Sequence, residues 1–292
     1  VVGLHSAEGS QAQPLSPPVG CLIMRIARFT TGDEPQFGIA EGEDESAFVI
    51  AVAGDPLFQG VEPTGERFAQ ADVRLLAPVI PRSKVVCVGR NYADHIAEMG
   101  AAEAGAAEMG TEPPTEPLLF LKPNTAVIGP RDPISYPRQS TDVQFEGELA
   151  VVVGRICREV PAARAHEVIY GFTVANDVTA RDLQKKDVQF TRAKGFDSFC
   201  PLGPWVETDL DYADLAVSTA LNGDVRQLGR TSQMIFDVPA IIAYVTSVMT
   251  LLPGDVVLTG TPAGVGSMLP GDDVAVTVEG IGTLSNPVVA RG

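Results

Sequence analysis

The chain has 292 residues, 45% hydrophobic and 20% charged, a globular composition that excludes a disordered protein. Its 37 acidic residues outnumber 21 Lys and Arg, giving a formal charge of −16 with no basic cluster, so no nucleic-acid partner is expected. No apolar run approaches the roughly 20 residues that span a bilayer, and the four cysteines show no metal-ligand spacing. A cytoplasmic protein without a disulfide frame or a membrane partner is the expectation.

Residues 1–23 mix Ser, Gln, Gly and Pro without periodicity and lack a leader pattern, so they read as a flexible tail. From Met24 the apolar residues alternate, predicting a small β-rich N-terminal domain over residues 24–80. Its Glu41-Gly42-Glu43-Asp44-Glu45 run reads as a solvated turn. Pro78 and Pro81 mark the joint with a second domain over 81–292. There the buried-strand candidates are Val85–Gly89, 118–121, 149–153, 172–175 and Val256–Leu258. Residues 94–109 are rich in Ala and Glu but carry Gly100 and Gly105, each costing a helix about 1 kcal/mol relative to Ala. Such a marginal helix suits a lid. Residues 237–252 are the clearest helix, with Asp237 as cap, Pro239 in the first turn, and a stripe of Ile241, Ile242, Val245, Val248, Met249 and Leu252. Leu-Pro-Gly-Asp occurs at 252–255 and 269–272, each a type II turn that introduces a strand. Strands do not alternate regularly with helices, so the fold class is α+β, mostly β.

The segment Phe145-Glu146-Gly147-Glu148-Leu149 opens a Val-rich strand. Residues i and i+2 share a strand face, so Glu146 and Glu148 stand side by side with Cα atoms roughly 6.6 Å apart. At an effective dielectric near 20 two such charges repel by about 2.5 kcal/mol. A divalent cation converts that repulsion into attraction, and Gly147 is expected to leave room on the opposite face. Asp177 ends the strand Thr173-Val174-Ala175-Asn176, and 179–184 read as a short helix with Arg181 and Gln184 on one side. Three carboxylates without Cys or His favour a hard ion, Mg2+ or Mn2+. Lys194 sits in a turn-rich loop over 192–204, available to charge on a substrate oxygen. Thr259-Gly260-Thr261-Pro262-Ala263-Gly264 lacks the Lys-Ser/Thr ending of a P-loop but offers N–H groups and the Thr261 hydroxyl to a carboxylate. His95 and Glu98, at i and i+3, pair a base with a group that orients it.

Together these passages resemble the fumarylacetoacetate hydrolase family. The pattern Asn-Tyr-x-x-His-x-x-Glu, Glu-x-Glu, Asn-Asp-x-Thr-x-Arg-Asp-x-Gln, Lys-Gly-x-Asp and Thr-Gly-Thr-Pro-x-Gly-Val-Gly runs in order from about Lys84 to the C-terminus. The stretch 101–109 expands the spacing after Glu98. The resemblance implies a mixed β-sheet roll with a smaller N-terminal domain, commonly a homodimer. It also implies Glu146, Glu148 and Asp177 as ligands of Mg2+ or Mn2+, His95 with Glu98 activating water on a lid, and Lys194, Arg181 and Gln184 steadying substrate oxygens. Thr261 would touch the substrate carboxylate. The implied reaction is cleavage of a C–C bond in a small 2-oxo or diketo acid, as in an acylpyruvate hydrolase or an oxaloacetate decarboxylase. One alternative is isomerisation or decarboxylation of hydroxymuconate-type dioic acids of aromatic catabolism. Another is a catalytically silent scaffold stabilised by its metal.

Overall fold

The computed structural model describes residues 24–42, 46–102 and 112–291. The tail at 1–23, the acids at 43–45 and positions 103–109 lie outside the described residues. Strands β1 (Arg25–Thr30), β2 (Gln36–Glu41), β3 (Phe48–Val52) and β4 (Pro63–Ala69) form an antiparallel meander, and β5 (Arg74–Leu76) pairs back on β1. The one-turn helix α1 (Pro56–Gln59) lies between β3 and β4, with Asp55 accepting the Leu57 N–H at 3.0 Å as its cap.

The remaining strands are β6 (Val85–Gly89), β7 (Leu118–Lys122), β8 (Val127–Ile128), β9 (Ile134–Tyr136), β10 (Val143–Phe145), β11 (Gly147–Val153), β12 (Ile169–Asn176), β13 (Thr179–Ala180), β14 (Cys200–Glu207), β15 (Ala216–Leu221), β16 (Asp224–Arg230), β17 (Val256–Leu258), β18 (Gly266–Met268), β19 (Asp273–Val278) and β20 (Gly282–Ala290). Among the described residues the α-helices that accompany them are α2 (Ala93–Ala102), α3 (Arg181–Asp187), α4 (Thr191–Lys194) and α5 (Val238–Val248). The large sheet runs β4-β3-β2-β1-β14-β12-β11-β17-β6-β7, with the β17–β6 pair parallel. β1 pairs with β14, so the N-terminal meander continues the central sheet.

A second sheet, β16-β15-β19-β20-β9, packs against the first. Leu149, Val151 and Val153 of β11 meet Val217, Val276 and Val278 of that sheet and Ile241, Ile242 and Val245 of α5 in one core. Ala150 and Val152 face the opposite way, into a second core with Val85, Cys87, Leu202 and Leu258. β11 is thus buried on both faces, which is why its sequence is an unbroken apolar run rather than an alternation. The architecture is α+β, mostly β, as expected. Among the described residues no helix is long and apolar enough to cross a membrane.

Three local expectations change. Helix α5 stops at Val248, because Leu251 leaves it to bridge Cys157, and Val248 is exposed rather than part of the apolar stripe. Thr179 and Ala180 pair with β10 as β13, so helix α3 starts only at Arg181. The turn-rich segment holding Lys194 resolves into α4 followed by β14, with Phe199 just before that strand and Cys200 and Leu202 within it fully buried.

The Leu252-Pro-Gly-Asp turn does more than reverse the chain. Asp255 is fully buried and accepts the N–H groups of Ser83, Lys84 and Leu252, the Ser83 hydroxyl, and the Lys84 ammonium at 2.9 Å. It thereby ties the start of β6 to the start of β17. Burial alone would raise its carboxyl pKa, but Lys84 and these donors hold it below the usual range. Asp255→Asn leaves the buried donors without their anion and should cost about 3 kcal/mol in urea unfolding at neutral pH. A depressed folded pKa stabilises above the unfolded value of 3.8 and loses that contribution as pH falls through the folded value. The gap between wild type and variant should therefore close in acid and stay flat above pH of about 5.

Candidate metal centre and catalytic pocket

The antiparallel register of β11 and β12 assembles the acids. Gly147 pairs with Asn176 and Glu148 with Ala175, so Glu146 and Asp177 meet just beyond the last pair. The Asp177 N–H donates to the Glu146 carbonyl at 2.8 Å, and the Glu146 N–H to Asn176 Oδ1 at 3.0 Å. One carboxylate oxygen each from Glu146, Glu148 and Asp177 lie within 4.8 Å of one another, with every residue at most 4% exposed. The room expected behind Gly147 is filled. A Cβ there would stand 2.1 Å from Thr219 Oγ1 and 2.8 Å from Val276 Cγ1, so glycine is required by close packing of the second sheet.

Cations surround two of the three acids. Lys194 Nζ lies 2.6 Å from Glu146 Oε2 and 2.8 Å from Asp177 Oδ2. Arg181 donates to Glu146 Oε1, to Gln144 Oε1 at 2.9 Å and to Gln184 Oε1 at 2.5 Å. Lys122 Nζ stands 2.7 Å from Asp177 Oδ1 while donating to the carbonyls of Val178 and Lys194. That Asp177 oxygen is buried with no hydrogen bond of proper geometry, a lone pair left for a cation. Burial would raise the Glu146 carboxyl, but Lys194 and Arg181 bring it well below the normal range. Glu148 has no cation at ion-pair distance among the described residues; its Oε2 accepts the Gly260 N–H at 2.6 Å. Burial, Asp177 and Glu146 push its carboxyl well up. A dication suits this site, because it removes the repulsion that the protein's own cations leave at Glu148.

His95 and Glu98 occupy α2, at the cavity over the acids. His95 Nδ1 is 3.3 Å from Glu98 Oε2, and both Glu98 oxygens accept the Gly264 N–H at 3.0–3.1 Å. Burial opposes the Glu98 charge, but His95 and the Gly264 N–H hold its carboxyl below the usual range. Apolar side chains of Ile96, Met99, Leu118, Phe120 and Phe190 line the other wall, with Phe120 and Phe190 edge to face at 5.5 Å. All nine expected site residues, Glu146, Glu148, Asp177, His95, Glu98, Lys194, Arg181, Gln184 and Thr261, fall in or beside this one cavity. Thr261 arrives differently than expected. Its hydroxyl donates to the Gly147 carbonyl at 2.9 Å and accepts from Gln227 Nε2 at 2.8 Å, so its proton is committed. Among the described residues its backbone N–H has no hydrogen-bond acceptor, which leaves it as the donor for an anion.

Three supporting residues had no role in the sequence reading. Lys122 follows the apolar run 118–121 and precedes Pro123; the buried strand expected there is instead exposed at Leu118 and Leu121, and Lys122 is its one buried residue. Gln227 is fully buried and joins the Gly147 N–H, Thr261 Oγ1 and Pro262 O, yet β16 around it is mostly exposed and gives no hint. Asn91 bonds Thr259 O, Phe236 O and the Phe236 N–H, fixing the base of α2 to the glycine-rich loop.

The fumarylacetoacetate hydrolase C-terminal family model matches residues 84–289, and the Rv2993c-like N-terminal model matches 24–78. The chain belongs to the fumarylacetoacetate hydrolase family. It is 53% identical over 274 residues to protein Rv2993c of Mycobacterium tuberculosis, covering 92% of this chain and 99% of that one. It is 39% identical over 300 residues to the mitochondrial oxaloacetate tautomerase fahd2 of Xenopus laevis, covering 92% and 91%. Among solved members of the family, it is similar to 5-carboxymethyl-2-hydroxymuconate delta-isomerase from Mycobacterium smegmatis (TM-score 0.82, 50% identity, 92% of this chain and 100% of that one). It is also similar to maleylpyruvate hydrolase from Sphingobium sp. SYK-6, solved with manganese(II) and pyruvate (TM-score 0.71, 27% identity, 92% and 100%).

The electrostatics of Glu148 give a signed expectation. A carboxyl whose folded pKa is raised penalises the folded state as pH climbs through that value. Glu148→Gln should therefore be at least as stable as wild type at neutral pH in EDTA, and it should lose the rise in melting temperature that Mn2+ gives the wild type. Thermal unfolding with and without Mn2+ measures both, and a variant less stable in EDTA would contradict the repulsion described above.

Proposed function

We propose that this protein is a divalent-metal-dependent enzyme acting on a small 2-oxo acid, moving a proton at the carbon beside the keto group in a keto–enol tautomerisation or an isomerisation. The observation that carries this reading is the convergence of three buried carboxylates beneath a His–Glu pair on a separate helix. Mg2+ or Mn2+ is the cation in this reading, since the donors are all carboxylate oxygens. The family resemblance alone placed C–C cleavage first. Identity of 39% to an oxaloacetate tautomerase and 50% to a delta-isomerase, against 27% to the hydrolase, supports the reverse order. Cleavage is the second reading, favoured by the manganese and pyruvate bound in the Sphingobium hydrolase.

Glu146, Glu148 and Asp177 would hold the ion. When bound, it supplies an electron sink for negative charge developing on the substrate's keto oxygen. The chain's own groups do the rest. With Nδ1 turned to Glu98, His95 keeps Nε2 to take a proton from the substrate carbon and return it to the other end of the enol, or to take it from water in the cleavage reading. Glu98 stabilises the imidazolium so formed and, through Gly264, holds α2 over the cavity and keeps bulk water out. Lys194 and Arg181, already drawn in by Glu146, keep positive charge beside the substrate oxygens, and Gln184 fixes the Arg181 fork. The Phe120–Phe190 wall receives the carbon skeleton.

The test is a proton-NMR time course with oxaloacetate, an acylpyruvate and a hydroxymuconate-type diacid, each in Mg2+ and in EDTA. One of them should turn over only with the metal. His95→Ala should slow that reaction by about 100-fold or more while leaving melting temperature and Mn2+ affinity nearly unchanged. Equal rates in Mg2+ and EDTA would sink the proposal, and turnover of none would leave the metal-stabilised scaffold as the better account.

A further inference from the structure

We infer that the cavity between the N-terminal meander and the central sheet binds an apolar α-amino acid, its carboxylate on Arg28 and its ammonium on Asp55. The cavity has a volume of about 390 Å3, lies apart from the acid cluster, and takes walls from both sides of the 78–84 joint. Phe37 of β2, Phe58 of α1 and Val79 of the joint supply apolar surface, and Tyr170 of β12 closes the far side.

Of the polar groups in it, Arg82 lies over the Phe58 ring at 4.0 Å and Asn124 donates to the Pro81 carbonyl at 3.3 Å, while Arg28 and Asp55 are arranged unlike a structural ion pair. Arg28 shares a strand face with buried Ile26, and its cross-strand partners are Phe37 on β2 and Leu76 on β5, so no carboxylate stands opposite. Among the described residues its guanidinium makes no hydrogen bond and no ion pair within 4.0 Å. Asp55 is the charged group that both Arg28 and Tyr170 sense, yet it stays beyond ion-pair reach of Arg28. One of its oxygens caps α1 through the Leu57 N–H, and among the described residues the other has no partner. Burial lowers the Arg28 pKa, the mark of a cation only partly compensated. A half-buried guanidinium on β1 and a carboxylate at the N-cap of α1, not paired with each other in a largely apolar chamber, complement a ligand that carries both charges close together. A plain carboxylic acid would leave Asp55 unanswered, an amine would leave Arg28 unanswered, and a small polar zwitterion would forfeit the apolar walls.

The experiment is calorimetric titration of the full chain in EDTA, which leaves the metal-dependent reading out of the measurement, with L-phenylalanine as the probe. Binding should be one to one with Kd near or below about 1 mM. 3-Phenylpropanoate, phenethylamine and glycine should each bind about tenfold or more weakly, the equivalent of ~1.4 kcal/mol. Arg28→Met and Asp55→Asn should each weaken L-phenylalanine by a similar factor. Asn caps helices as well as Asp does, so the second variant keeps α1 and isolates the charge. His95→Ala should bind the amino acid like wild type. Absence of heat at about 10 mM L-phenylalanine, 3-phenylpropanoate binding as tightly as L-phenylalanine, or full affinity in both cavity variants would each overturn the assignment.

Discussion

Three carboxylates held within 4.8 Å of one another, with almost no access to water, are the constraint around which this molecule is organised. At that separation each pair of charges repels by about 3 kcal/mol even at an effective dielectric of 20. The backbone cannot relax the strain, because the acids hang from two strands in fixed register. Gly147, between Glu146 and Glu148, is pinned by the Gln227 amide and by Thr219 behind it. Lys194, Arg181 and Lys122 answer this from three different elements, α4, α3 and the end of β7. They pair with Glu146 and Asp177, leaving Asp177 Oδ1 without a hydrogen bond, and among the described residues they leave Glu148 with one backbone N–H. The asymmetry makes the cluster a place for a cation rather than a finished salt-bridge network, because a structural network would have paired the third acid as well.

The glycine-rich loop after β17 links this cluster to the His95–Glu98 pair. Its Gly260 N–H binds Glu148, its Thr261 hydroxyl binds the Gly147 carbonyl, and its Gly264 N–H binds Glu98 on α2. Asn91 clamps the other end of α2 to Thr259 of the same loop. A positive φ at Gly260 and Gly264 lets the chain turn twice within five residues, presenting N–H groups to one carboxylate below and another above. The loop is therefore a mechanical link between the acid site and its cover. Any change in the position of the Glu148 carboxylate is passed through one peptide segment to the residue that orients His95.

Much of this was legible in the amino-acid sequence, for identifiable reasons. Strand positions such as Val85–Gly89 and Val256–Leu258 carry their burial in composition alone, since doubly covered strands are continuous apolar runs. Glu146, Glu148 and Asp177 stand out because ionised groups beside such runs need a partner. Arg181 and Gln184 follow from helical spacing, and their bond confirms the geometry. What stayed hidden depends on contacts between distant segments. Lys122 reaches Asp177 across 55 positions, and Gln227 reaches Gly147 across 80, with nothing local in β16 to show it. The space behind Gly147 could not be judged either, because the second sheet that fills it comes from residues 216–290. The direction of the Thr261 hydroxyl was likewise set by a partner that only the fold supplies.

Charge bookkeeping explains how a chain at −16 can admit an anion. Long-range repulsion is screened within about 8–10 Å at physiological ionic strength, so what an approaching acid senses is the local balance of the cavity. At its floor the three carboxylates are met by Lys194 and Arg181 and, from behind, by Lys122, so the formal sum of that cluster is zero. A dication among the acids would turn that floor net positive while the remainder of the surface stays acidic. Unloaded, this cluster would hold no excess charge to draw an anion from the solvent; loaded, it would be net positive beneath the His95–Glu98 pair. For the proposed reaction, electrostatics alone would favour metal binding before the acid, without any conformational signal between the two events.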